Sequence, residues 1–171
     1  MSQDLGSAQP VASDLRRVAT TLKVNADLER IADLAVNIGE RMQFIAGQPE
    51  LAMPSTIQEM SALTIKMLRD ALDALVDLDA DRARRVCERD DQVNEYNRLV
   101  IAELRDVMKT RSDLVEAALH FFSASRHVER IADHATNIAE DVIYLVEGEI
   151  ARHRVEDDII NPASPTAWRR P

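Results

Sequence analysis

At 171 residues, the chain is long enough for one domain or two small ones with a hydrophobic core. Its formal net charge of −9 argues against nucleic acid as a partner, because proteins that bind nucleic acid neutralise phosphates with clustered Lys and Arg. Aromatic residues make up only 4%, which favours helices over strands, and the single cysteine, Cys87, excludes an internal disulfide. No apolar stretch approaches the ~20 residues that span a bilayer, and no secretory signal is visible, so we expect a cytoplasmic protein.

The first predicted helix is long and covers residues 11 to 46. Apolar residues recur at Leu15, Val18 and Leu22, and then at steps of three and four from Leu28 to Ile45. The later spacing, from Leu28 to Ile45, is typical of a helix that packs in a bundle.

Three further helices are predicted downstream of a connector that contains two prolines. The second helix begins at Ser55, which we expect to be its N-cap, and ends just before Asp79. The third covers residues 81–109 and can be capped by Asp79 or Asp81, and the fourth opens near Ser112. The chain is therefore predicted to be all-α, an antiparallel bundle of four long helices. Both ends, 1–9 and 157–171, lack apolar periodicity and are expected to be disordered.

The strongest feature of the sequence is an internal repeat at a spacing of 100 residues. Residues 27–40 recur as residues 127–140, and nine of these fourteen positions are identical. Two unrelated helices could share an apolar seam by chance, but hardly the run Glu-Arg-Ile-Ala-Asp with the Asn and Glu that follow. The repeat therefore indicates a duplicated helical unit.

Each copy of the repeat carries two carboxylates one helical turn apart. Glu29 and Asp33 lie on one stripe of the first helix, and Glu129 and Asp133 repeat this arrangement on the fourth. Such pairs repel each other unless a positive charge lies nearby. Three interpretations remain open: a solvated acidic face, a seam of salt bridges to a neighbouring helix, or a metal site. Duplication of an unfavourable pair weakens the first interpretation without choosing between the other two.

A third oxygen pair, Asp90 and Asn94, lies on the third predicted helix. Antiparallel packing of the third and fourth helices could bring it against Glu129 and Asp133. Four oxygen ligands from two helices would be a reasonable shell for Fe, Mn, Zn or Mg.

Three histidines recur every seven residues along one side of the fourth helix: His120, His127 and His134. In the first copy of the repeat, Asp27 takes the place of His127 and Leu34 takes the place of His134. We therefore interpret the histidines as surface or interface residues and not as a metal stripe. For phosphate, no Gly-rich loop or basic pocket is visible in the sequence.

The residues that carry these patterns resemble the PhoU family, the phosphate-specific transport system accessory proteins. Residues 9–16, read as Gln-Pro-Val-Ala-Ser-Asp-Leu-Arg, are similar to the family pattern, as are the first Leu-Glu-Arg-Ile-Ala-Asp run at 28–33 and the second copy at 128–140. The resemblance also includes residues 90–94 and covers roughly residues 9–147.

The resemblance implies a fold of two pseudo-symmetric three-helix bundles. The family places two helices before the segment with which this chain begins, so the resemblance implies that the chain lacks them. Residues 10–47 would then be the remnant of a first repeat, one long helix, and residues 55–150 a complete second repeat of three helices. The remnant helix needs a partner for its apolar seam, either the second bundle or a second chain, and we expect a homodimer.

The resemblance further implies a non-enzymatic regulator. Family members damp the phosphate-starvation response as adaptors between the phosphate ABC transporter, through its ATPase, and a sensor histidine kinase, reaching the membrane only through these partners. Some bind multinuclear Fe or Zn clusters, so for this chain we expect Fe or Zn, with Mn or Mg as alternatives. The metal ligands would map here onto Glu29, Asp33, Asp90, Asn94, Glu129 and Asp133. The first cluster would be incomplete, because the helix that faces Glu29 and Asp33 is missing.

Three other functions compete with the regulator. A ferritin-like di-metal enzyme requires Glu-x-x-His pairs, and none occurs in this sequence. A histidine phosphotransfer bundle could use His127 or His120 as acceptor, but would leave the duplicated acidic motif unexplained. A metal-free helical interaction domain is the third alternative.

Overall fold

Helices account for all the regular structure of the described residues. The structure, a computed structural model, describes residues 8–47 and 51–148. Its α-helices are α1 (Ala8–Ala46), α2 (Ser55–Asp77), α3 (Ala80–Cys87), α4 (Asp90–Thr110) and α5 (Val115–Glu147), with a 3₁₀ turn at Ser112–Leu114. The predicted all-α fold with four long helices is confirmed. Helix α1 begins at Ala8, inside the segment 1–9 that was expected to be disordered. Residues 1–7 and the predicted disordered tail at 157–171 lie outside the described residues.

The turn between α2 and α3 is fixed by backbone and side-chain capping. Leu78 closes α2 in the left-handed region (φ 52°), a conformation that costs free energy for a residue other than glycine, and its N–H donates to the carbonyl of Ala74. The next residue, Asp79, accepts a hydrogen bond from the backbone N–H of Arg82 at 2.9 Å, which confirms it as the cap of α3. The expectation that Ser55 caps α2 is wrong, because Ser55 is already the first helical residue and Pro54 occupies the cap position.

The third predicted helix is two helices. A short turn at Glu88 and Arg89 separates α3 from α4, although the Glu88 N–H still donates to the carbonyl of Arg84 at 3.0 Å. Arg89 forms an ion pair with Asp70 on α2, which ties the turn to the neighbouring helix. The break makes Asp90 the first residue of α4, where the helix dipole favours a negative charge.

Helix α5 is the centre of the fold. Helices α1, α2, α3 and α4 all pack against it, and α2 also packs against α3 and α4. This arrangement buries α5 on several faces, so small residues allow the neighbouring backbones to approach closely. Ala132 and Ala135 are completely buried, whereas their repeat equivalents on α1, Ala32 and Ala35, are exposed. The duplicated sequence therefore occupies two different environments.

One face of α1 packs against the bundle and the other is open. Val24, Ile31 and Leu34 are buried on the packed face, which agrees with the expectation that this helix can fold onto the second bundle. The seam predicted from Leu28 to Ile45 is only partly covered, because Leu28 is 38% exposed and Ala35 is also exposed. The apolar residues that precede it, Leu15, Val18 and Leu22, are 69%, 57% and 68% exposed. At ~100° per residue they lie nearly opposite the buried positions. We call these three residues, together with Val36, the open α1 face.

None of the helices in the described part of the chain has an 18-residue stretch that is apolar enough to cross a membrane.

Candidate functional site

The interface between α1 and α5 is antiparallel and brings the two copies of the repeat together. Asp27 on α1 forms an ion pair with His134 on α5 at 2.7 Å, and Lys23 pairs with Asp141 at 2.8 Å. The ring of Phe44 stacks on His120, with centroids 3.9 Å apart. Because equivalent segments pack in opposite directions, an approximate two-fold axis relates the two helices.

This interface also decides the role of the histidines. His120, His127 and His134 are all partly buried on the side of α5 that faces α1. Burial lowers the pKa of His127, and the nearby charges of Arg41 and Arg130 lower it further. The interpretation of these residues as interface histidines is confirmed for His120 and His134, whose contacts with α1 are direct.

The acidic site of the second repeat lies on the opposite side of α5, against α4. The two carboxylate oxygens of Asp90 accept separate hydrogen bonds, one from the Thr136 hydroxyl and one from the Asn94 side-chain amide, each at 3.1 Å. The contact with Thr136 bridges α4 and α5. Asp90 therefore contacts the second copy of the motif at Thr136, and its charge acts on Asp133.

The carboxylates of this site interact electrostatically. Partial burial raises the pKa of Asp133, and the neighbouring charges of Asp90 and Glu129 raise it further. Only part of this repulsion is offset: Glu129 forms an ion pair with Arg126, one turn earlier on α5. The site thus holds three carboxylates whose negative charge is incompletely balanced, an environment that favours a cation.

The two acidic residues of the first repeat are placed differently. Glu29 and Asp33 are exposed on α1, on the side that faces away from α5. No hydrogen bond or ion pair joins either of them to another candidate ligand within the described residues. The six predicted ligands therefore fall into two groups, and only the group in the second repeat receives residues from two helices.

The side chains of the second group are suitable metal ligands, but their present positions are not those of a metal site. Three carboxylates and one amide oxygen are hard donors of the kind that divalent cations prefer. However, no three His, Cys, Asp or Glu side chains of the described residues converge closely enough to hold a metal ion. Both oxygens of Asp90 already accept hydrogen bonds, and Glu129 is held by Arg126.

Sequence reasoning missed two residues at this site. Thr136 replaces Val36 of the first repeat, so the hydroxyl that holds Asp90 exists in the second copy alone. Arg126 lies three residues before Glu129, a spacing that places it on the same helical stripe and that could have been recognised. Both residues orient or neutralise the carboxylates.

Cys87 borders the same region at the end of α3. Burial raises the pKa of its thiol to about 11, and the negative charge of Glu140 contributes next. The thiol is therefore protonated at neutral pH, as expected for an idle cysteine and not for a nucleophile.

Comparison with known proteins places the chain among PhoU proteins. The family model for the PhoU domain matches residues 2–42 and 57–142. A Caulobacter vibrioides protein named phosphate-specific transport system accessory protein PhoU homolog is 36% identical over 155 residues, and one of the same name from Clostridium acetobutylicum is 35% identical over 139 residues. These alignments cover 90% and 81% of this chain.

Solved structures show the same relationship. The crystal structure of PhoU from Pseudomonas aeruginosa matches with a TM-score of 0.77 and 33% identity, covering 86% of this chain and 69% of that one. The phosphate transport system regulatory protein PhoU from Streptococcus pneumoniae matches with a TM-score of 0.75 and 29% identity, covering 81% and 66%. The chain spans about two thirds of the length of its curated relatives, 67% for the Caulobacter protein and 64% for the Clostridium protein. The duplicated motif, the helix order and the match to the family model all agree. The chain belongs to the PhoU family.

Proposed function

We propose that this chain is a non-enzymatic negative regulator of the phosphate-starvation response. The observation that carries the proposal is the match of the PhoU domain to both copies of the repeat, at 2–42 and 57–142. The relatives that share this domain are named accessory proteins of the phosphate-specific transport system. A regulator acts by binding, and a helical bundle with a charged surface is suited to that role.

In this proposal the chain acts in the cytoplasm as an adaptor between the ATPase of the phosphate transporter and a sensor histidine kinase. It would reach the membrane only through these partners. Its net charge of −9 favours partners that present a basic face.

The adaptor proposal predicts repression of a phosphate-starvation reporter. In a strain that lacks its own regulator of this family, expression of the chain should lower reporter output in high phosphate by several fold, and tagged chain should co-purify with the ATPase and the kinase. An unrelated acidic helical protein of similar size serves as the control. An unchanged reporter together with no recovery of either partner, from protein shown to be folded by circular dichroism, would contradict the proposal.

The phosphotransfer alternative is less well supported by the position of its candidate acceptors. His120 stacks on Phe44, and His127 has its Nδ1 buried at the α1–α5 interface. A phosphate acceptor needs an exposed ring that a response regulator can approach.

We further propose that the chain forms a homodimer through the open α1 face. Leu15, Val18 and Leu22 follow one another at three- and four-residue steps, the spacing of a helix–helix seam, and all are more than half exposed. Contiguous apolar side chains on a soluble protein mark an interaction surface. A second copy can supply a matching apolar stripe by two-fold symmetry.

The dimer predicts that Leu22→Glu produces a monomer. A charge at the centre of an apolar seam remains solvated in the monomer but must be buried in the dimer, so the dissociation constant should rise by at least tenfold. Sedimentation velocity measures the change. Val76→Glu is the matched control, because Val76 is 82% exposed on α2, away from this face. A wild-type chain that sediments as a monomer would refute the dimer.

Finally, we propose that the second repeat binds a metal ion through Asp90, Asn94, Glu129 and Asp133, as Fe or Zn, with Mn or Mg as alternatives. A cation would supply the positive charge that these carboxylates lack. Burial, and then the charges of Asp90 and Glu129, raise the pKa of Asp133, which supports this proposal. Glu29 and Asp33 remain candidates for a first cluster, but no neighbouring helix of the described residues completes their site.

A further inference from the structure

A pocket of about 280 Å³ opens at one end of the α1–α5 interface, on the opposite side of α5 from the acidic site. Arg41 of α1 lines it together with four residues of α5: Glu116, Leu119, His120 and Ser123. The stacking of His120 on Phe44 fixes the imidazole in the wall. The pocket thus combines a guanidinium, an imidazole and a hydroxyl, all of which can donate hydrogen bonds.

Arg41 lacks a partner in this pocket. Its Nε is buried and makes no hydrogen bond, and no ion pair of its guanidinium is found within the described residues. About two turns beyond His120 on α5, outside the pocket lining, the Nδ1 of His127 is also buried without a partner. A buried N–H that makes no hydrogen bond is costly, and an anion in the pocket would supply the acceptor that Arg41 lacks.

The approximate two-fold axis shows what is missing. At the other end of the same interface, Lys23 of α1 and Asp141 of α5 form an ion pair at 2.8 Å. At the 100-residue spacing, the equivalents of Lys23 and Asp141 are Ser123 and Arg41. At the pocket end, the cationic Arg41 therefore takes the place of the anionic Asp141. The neutral hydroxyl of Ser123 takes the place of the Lys23 ammonium group. The charge pair that closes one end of the interface is absent from the other.

We propose that this pocket binds a tetrahedral oxyanion, such as phosphate or sulfate, between Arg41, His120 and Ser123. A guanidinium presents a fork of N–H groups that matches the oxygens of such an ion, and the serine hydroxyl adds a donor from the opposite helix. The inference does not depend on the proposed regulatory role or on the metal site, since it uses none of the acidic residues of the repeat.

Glu116 allows the sign of the ligand's charge to be tested. Its carboxylate lines the same pocket and opposes the binding of an anion. Replacing it with glutamine should therefore tighten oxyanion binding, whereas a pocket that takes a cation would lose affinity with the same change.

Titration calorimetry with inorganic phosphate, repeated with sulfate, tests the proposal, and sodium chloride at equal ionic strength controls for general salt effects. Arg41→Gln should weaken phosphate binding at least tenfold, and Glu116→Gln should strengthen it severalfold. Ser123→Asp should abolish binding by offering Arg41 the carboxylate it lacks, while leaving the thermal unfolding temperature unchanged or higher. Arg30→Gln is the matched control, because Arg30 is an exposed arginine of α1 outside the pocket.

Three results would overturn the proposal. In the first, the wild-type chain binds neither ion at tens of millimolar. In the second, chloride has the same effect as phosphate. In the third, both Arg41→Gln and Ser123→Asp leave binding unchanged. Because Ser123 lies on the rim of a formed pocket, its variant reports on binding even if Arg41→Gln fails to fold.

Discussion

Combining Glu129→Gln with Asp133→Asn should lower the metal content of the purified chain at least about tenfold, whereas Glu29→Gln with Asp33→Asn should leave it nearly unchanged. The two double variants remove the same charges from the same motif. They differ only in the surroundings of the residues. In the second repeat Asp90 and Asn94 approach from α4, and in the first repeat the carboxylates are exposed on α1.

The physical reason for this difference is the number of helices that supply ligands. A pair of carboxylates on one exposed helix offers two donors to a cation that can keep its water shell, and such a site is weak. The second repeat adds Asp90 from another helix, held by Thr136. Burial raises the pKa of Asp133, and repulsion from Asp90 and Glu129 raises it further. A bound cation would relieve the repulsion between these carboxylates, and this relief adds to the free energy of cation binding.

Elemental analysis of protein purified without chelator measures this effect, with circular dichroism to show that each variant is folded. An equal metal content in the wild type and in both double variants would place any metal elsewhere. A loss that is equally large in the first-repeat variant would instead indicate that α1 contributes ligands, contrary to the exposure of Glu29 and Asp33.

The sequence was sufficient to predict the helices and the acidic pairs, because both depend on local spacing. Steps of three and four define a helix, and carboxylates at i and i+4 must share a stripe. The approach of Asp90 to the second copy was also predictable, since helices joined by short turns pack as neighbours. The interruption at Glu88 and Arg89 was not, because neither Gly nor Pro marks it and both sides remain helical in composition.

What the sequence could not reveal was which faces the fold covers. Leu15, Val18 and Leu22 are as apolar as the buried residues that follow them, and spacing alone does not distinguish a packed seam from an open one. The oxyanion pocket was equally hidden, because Arg41 and His120 meet only when α1 and α5 pack together. Contacts between distant segments depend on topology, which a single sequence leaves undetermined.

The two repeats differ in burial, so the same substitution at equivalent alanines, Ala32 and Ala132, should affect stability differently. Ala132→Leu should destabilise the chain by about 1–3 kcal/mol, because Ala132 is completely buried where α5 contacts its neighbours and a larger side chain must displace them. Ala32→Leu should change the free energy of unfolding by no more than about 0.5 kcal/mol, because Ala32 is exposed on α1. Alanine and leucine have similar helix propensities, so the difference reports packing alone.

Thermal unfolding of the two variants checks this prediction, at about 2–4 °C per kcal/mol for a chain of this size. Both alanines occupy the same place in Glu-Arg-Ile-Ala-Asp, so sequence context cannot explain a difference between them. Equal destabilisation by the two substitutions would mean that the first repeat is covered in solution, by a second copy or another partner at α1. Sedimentation of Ala32→Leu would then separate these cases, because interference with a dimer seam shifts the chain towards the monomer, whereas a different partner leaves the chain's own sedimentation unchanged.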